Sequence, residues 1–153
     1  MMKNYIENKR ELLKALEQIT EEKKPLFGKM SAQHMVEHLG FAVMFSNGKL
    51  PQKLYLSDEK ANYAKQNILN SDAEFPKGFK APMLDDNLLD LKFQNLESAK
   101  SMLLKEIEDF KNYFEQNKEQ KIMSPVFGEL NEEEWTRFHN KHITHHFKQF
   151  GVE

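Results

Sequence analysis

Apolar residues recur at three- and four-residue intervals in four separate stretches of this 153-residue chain, and that spacing limits the fold more than any other feature. In NYIENKRELLKALEQI the apolar positions are Ile6, Leu12, Leu13, Leu16 and Ile19, and Lys24-Pro25 closes the segment. A second stretch runs from Ser31, a good N-cap, to about Phe45, where Ser46, Asn47 and Gly48 end it. The third, NLESAKSMLLKEIEDFKNYFEQ, aligns Leu96, Ala99, Leu103, Ile107, Phe110 and Phe114. The fourth starts at NEEEWTRFHNKH, where Asn131 can cap and Glu132, Glu133 and Glu134 suit the positive end of a helix dipole. Gly151 ends it.

Between the second and third stretches lies a long connection, roughly residues 48–94. It holds a short predicted helix, SDEKANYAKQNIL, with Ala61, Ala64 and Ile68 aligned, followed by a loop marked by Pro76, Gly78 and Pro82. No segment alternates with a period of two, so little or no sheet is expected. The expectation is an all-α, single-domain chain over residues 1–153. Its architecture would be a four-helix bundle with a long crossover between the second and third main helices. The segment NKEQKIMSPVFGEL would pass over one end of the bundle, with Phe127 and Gly128 marking a turn.

The charge balance is 22 basic against 24 acidic residues, a formal net charge of −2, which gives no electrostatic support for nucleic-acid binding. No cysteine is present, so disulfides, thiolate metal sites and a cysteine nucleophile are excluded, and any thiol would have to arrive as a co-substrate. No apolar run is long enough to span a membrane, and the polar N-terminus does not read as a signal peptide. A cytoplasmic protein is expected.

All six histidines fall in two short segments: His34 and His38 in SAQHMVEH, and His139, His142, His145 and His146 in HNKHITHHFKQFG. On a helical wheel the last four share a face with Trp135, Phe138 and Gln149, while Thr144 and Lys148 point away. His34 and His38 share the apolar stripe of Phe41, Ala42 and Phe45. Gln33 and Glu37 lie off it, so Glu37 reads as a solubilising residue rather than as a base beside His38. Inward imidazoles need hydrogen-bond partners or a metal. His142 and His146 are four residues apart, so both can reach one ion, and His38 from a neighbouring helix is the natural third donor. Three imidazoles favour zinc, nickel, iron or copper over magnesium or calcium. His139, His145 and His34 are read as residues that support the ligands or the core, with His34 also able to stand in for His38 one turn away. The bland alternative is a set of core histidines satisfied by hydrogen bonds alone. Met30, Met35 and Met44 read as core filler.

The closing segment HITHHFKQFG resembles the last-helix motif of the DinB-like superfamily of small metal-binding four-helix bundles. In that motif a histidine is followed four residues later by the second of a histidine pair, and then by a glutamine. Here these are His142, His146 and Gln149, and MSAQHMVEHLGF stands where the superfamily supplies its remaining histidine, at His38. PVFGELNEEEWTRFHNKHITHHFKQFG is especially similar to an uncharacterised branch. The resemblance implies a divalent metal on His38, His142 and His146, commonly zinc or nickel, and often a homodimer. Characterised members use such a metal to activate a low-molecular-weight thiol in thiol-dependent transferases and isomerases. The expected function is therefore a metal-dependent hydrolase or thiol S-transferase acting on a small-molecule substrate, with neither nucleic acid nor membrane as partner. Gln149 would orient a ligand histidine or a loop, and His145 or His34 would relay protons. The other class is a non-catalytic metal-binding or structural bundle. A carboxylate such as Asp85 or Asp86 on the metal, brought by KGFKAPMLDD, would favour that class by closing the site.

Overall fold

A computed structural model describes residues 3–77 and 88–153, and these are mostly helical. Helix α1 spans Lys9–Glu17, α2 Ala32–Met44, α3 Asp58–Ala64, α4 Leu96–Gln116 and α5 Glu132–Gln149. The chain continues from α3 through one wide π-helical turn, Lys65–Leu69. A short antiparallel hairpin, β1 (Ile122–Ser124) and β2 (Gly128–Leu130), pairs Ile122 with Leu130 and Ser124 with Gly128.

The helix ends follow from local chemistry. Asn95 and Asn131 accept from the amides of Ser98 and Glu134, satisfying donors that a helix N-terminus leaves unpaired. Glu134 reaches back to the Asn131 amide, completing a capping box. At the far end of α5, Gly151 takes φ +73°, and the amides of Gly151 and Val152 return to Lys148 and Phe147. That is the left-handed stop that glycine permits. Helix α1 begins later than its apolar spacing suggests, because Asn8 caps it. Residues 3–6 lie against α5 instead: the Ile6 amide donates to Asn140 Oδ1 at 2.9 Å and the Lys3 amide to Thr144 Oγ1 at 3.3 Å. Thr144, expected to point outward, is therefore buried.

Helices α2 and α4 make the most extensive helix pair, and Gly40 permits the approach, since a Cβ there would collide with the Met102 side chain. The aligned residues of α4 are all buried, and Phe110, Phe114, Trp135, Phe147 and Phe150 are the largest fully buried side chains of the core. The hairpin replaces the plain connection expected between α4 and α5. Ser124 Oγ accepts from the Val126 and Phe127 amides, Gly128 takes φ +81°, and Trp135 Nε1–H donates to the Ile122 carbonyl at 3.1 Å. The hairpin is thereby fixed to the first turn of α5, which carries the later histidines.

Candidate metal centre

Helix α5 presents His142 and His146 on successive turns, and α2 brings His38 to meet them. The donor nitrogens of these three residues all lie within 4.8 Å of one another, and no fourth His, Cys, Asp or Glu joins them among the described residues. His38 Nε2 and His142 Nε2 are 2.9 Å apart. Two nitrogens on one tetrahedral zinc ion would stand roughly 3.3 Å apart, given zinc–nitrogen bonds of about 2.0–2.1 Å. The ring centroids of all three pairs are 4.8 Å apart, with the planes near perpendicular, so the rings converge edge-on and do not stack.

One donor atom is identified by its surroundings. Gln149 Nε2 donates to the Phe27 carbonyl at 2.9 Å, which fixes the amide orientation and turns Oε1 toward His146. An amide oxygen only accepts, so His146 Nδ1, 2.7 Å away, carries the proton and donates it. His146 Nε2 is left with its lone pair directed at the cluster. Gln149 thus bridges His146 and the Phe27 carbonyl in the loop before α2. Gly28 makes this possible: it takes φ +85°, and a Cβ there would lie 2.6 Å from Gln149 Nε2.

Burial keeps the imidazoles neutral. It lowers the His38 pKa to about 4, with His145 adding to the effect, and pushes His142 and His146 well below the usual value, with repulsion among the neighbouring rings as a secondary cause. Neutral imidazole is the form that binds metal. Three imidazole donors converging without a carboxylate fit a transition-metal ion better than magnesium or calcium.

The other histidines separate into distinct roles. His139 is buried in the core, stacked on Trp135, and its Nε2–H donates to Ser46 Oγ at 2.7 Å, since that hydroxyl gives its own proton to the Val43 carbonyl. His34 lies at the first turn of α2, where its Nδ1 is 2.7 Å from Ser31 Oγ and 3.4 Å from the Ser31 amide. Its ring forms the second half of a capping box in which histidine replaces the usual glutamate. His145 is half-buried beside His146, with ring centroids 5.0 Å apart, and faces Phe27 and Phe75. Burial lowers its pKa, while a hydrogen bond to the Phe75 backbone and the nearby Glu74 pull the other way. The Phe138 ring stacks on His142 at 5.1 Å, and Phe75 approaches His142 at 6.4 Å. Asp85, Asp86 and all of KGFKAPMLDD after Lys77 lie outside the described residues.

Two residues near the centre were not anticipated. Glu37, read from the wheel as solubilising, is buried, and its carboxylate accepts from the Lys92 and Phe93 amides at 2.8 and 3.1 Å. Lys141 is buried too, and its ammonium donates to the carbonyls of Ile68, Ser71 and Ala73 at 2.5, 2.6 and 2.8 Å. The only sequence signal for either is a charge directly preceding His38 or His142.

Residues 78–152 match a family model described as "Protein of unknown function (DUF1569)". The match takes in α4, the hairpin and α5, with His142, His146 and Gln149, and leaves out α2 and His38. No curated protein and no solved structure matches the chain.

Two outcomes follow from this geometry. Replacing Gln149 with Leu removes the acceptor that fixes the His146 tautomer. Zinc affinity measured by competition titration should fall roughly 10- to 100-fold, the usual cost of losing the partner of a ligand histidine. The second concerns His139, whose pKa burial lowers to about 3. Because the folded value lies below the unfolded one near 6.5, the unfolded chain takes up the proton first as pH falls. The stability associated with neutral His139 is complete above pH 6.5 and is lost down to about pH 3. Between pH 7 and pH 5, urea unfolding of metal-free wild type should lose about 2 kcal/mol more than the His139→Phe variant.

Proposed function

We propose that this chain binds a divalent metal, zinc or nickel, through His38, His142 and His146, and uses it as an enzyme of the hydrolase or thiol S-transferase type. The observation that carries the reading is the convergence of three neutral imidazoles from two helices on one point. A divalent ion held by three protein donors keeps a position open where a bound water or thiol becomes more acidic. The chain's own contributions are the orientation of His146 by Gln149, and the apolar rings of Phe75 and Phe138 packed beside His142. His145, half-buried and hydrogen-bonded to the Phe75 backbone, would relay protons between the metal-bound group and solvent.

The order of helices and the motif shared by His38, His142, His146 and Gln149 support membership of the DinB-like superfamily. In that reading α1, α2, α4 and α5 are the four bundle helices, and residues 45–95 are the crossover. A homodimer, a cytoplasmic location and a low-molecular-weight thiol as co-substrate belong to the same proposal. The packing of Phe75 and Phe138 against His142 favours a second reading, a non-catalytic bundle whose ion is structural or sensed.

Turnover separates the two. Zinc- and nickel-loaded wild type and His146→Ala should be incubated with a panel of electrophilic small molecules and esters. Each mixture is run alone and with glutathione, bacillithiol or mycothiol. The enzyme reading expects product formation by loaded wild type at least tenfold above the variant. Equal rates for both proteins across the panel would leave the non-catalytic reading standing.

A further inference from the structure

The connection between α2 and α4 is fastened to the candidate metal centre at two places, each time by the residue directly preceding a ligand histidine. Glu37 precedes His38 and Lys141 precedes His142. Consecutive helical residues point about 100° apart, so one can face the ligand cluster while its neighbour faces the connection. Glu37 receives the Lys92 and Phe93 amides, and Gln33 Nε2 bridges the same carboxylate and the Phe93 carbonyl at 2.9 and 2.8 Å. Lys141 gathers the carbonyls of Ile68, Ser71 and Ala73. Two residues beyond Ala73, the Phe75 ring reaches His142 and His145.

Both charges are buried, at 3 % and 5 % exposure, and the hydrogen-bond partners of each are backbone or amide groups. A buried charge is costly compared with an apolar side chain of the same size, and its return is a defined geometry. The two clasps are of opposite polarity, carboxylate to amides and ammonium to carbonyls, so neither can take the other's segment.

We propose that Glu37 and Lys141 are positioning residues for the metal centre. They set the rotation of α2 and α5 that aims His38 and His142, and in turn metal binding tightens the two clasps. The inference rests on the metal site proposed above. Coupling of this kind is reciprocal: a clasp that favours binding is itself strengthened by the bound ion to the same degree.

The test uses the tag-free full chain and cobalt(II), whose absorption reports coordination geometry. Wild type, Glu37→Gln, Lys141→Met and His38→Ala are titrated, with circular dichroism as the check on folding. Folded Glu37→Gln and Lys141→Met should bind roughly tenfold more weakly than wild type, with an altered cobalt absorption envelope. A role confined to holding the fold together would leave both unchanged in the folded protein. A second measurement needs no variant: zinc added to wild type should slow hydrogen exchange at the Lys92 and Phe93 amides. Unchanged affinity and spectrum in the folded variants would overturn the proposal, and so would unchanged exchange at those amides if the variants do not fold. Wild type binding cobalt no better than His38→Ala would remove the metal site itself, and this inference with it.

Discussion

Three imidazoles held within 4.8 Å of one another in a water-poor interior cannot all carry charge. Repulsion among them and the loss of hydration both favour the neutral form, and the lowered pKa values of His38, His142 and His146 express those two causes. A neutral ring can offer a nitrogen lone pair to an ion, and the surrounding side chains hold the three rings together. Gln149 supplies the acceptor that commits one ring to a tautomer, and its other end is tied to the Phe27 carbonyl next to a glycine with no side chain to obstruct it. The close packing of α2 on α4 at Gly40 and the clasps at Glu37 and Lys141 fix the two helices whose relative rotation sets the distance between donors.

The polar interior is fully accounted for: no buried side-chain nitrogen or oxygen among the described residues lacks a hydrogen-bond partner. His139, Asn140, Lys141 and Thr144 lie close together along α5 and face three different neighbours: His139 meets Ser46, Lys141 the turn after α3, and Asn140 and Thr144 the N-terminal segment at Ile6 and Lys3. One helix thereby organises the centre and its surroundings together. This explains how so polar a helix can be so largely buried, since each buried polar group meets a specific partner and the desolvation penalty is offset.

Most of this was legible in the sequence where one local rule decided the outcome. Helices α4 and α5 begin at Asn95 and Asn131 because asparagine caps, and α5 stops before Gly151 because only a left-handed residue fits there. The convergence of His142 and His146 with His38, and the place of Gln149 beside His146, were visible as spacing on a wheel. What the wheel could not show is that α2 and α5 each bury more than one face. A wheel assigns a single inward direction, so Glu37 and Thr144 fell outside it, although neighbours remote in sequence cover both. The hairpin at residues 122–130 was missed because three-residue strands are too short for alternation to register, and its turn depends on the Ser124 hydroxyl. His34 was read as a candidate near the metal, and the structure engages its ring in the cap of α2, a task that histidine seldom performs.

The central claim is that His38, His142 and His146 form one metal site, and metal content tests it most directly. Tag-free protein should be loaded with zinc or nickel, dialysed, and analysed by inductively coupled plasma mass spectrometry beside the His142→Ala variant. The account predicts close to one ion per chain in wild type and a loss of roughly tenfold or more in the variant, because a two-imidazole remnant is a weak site. Equal, substoichiometric metal in both proteins would contradict it.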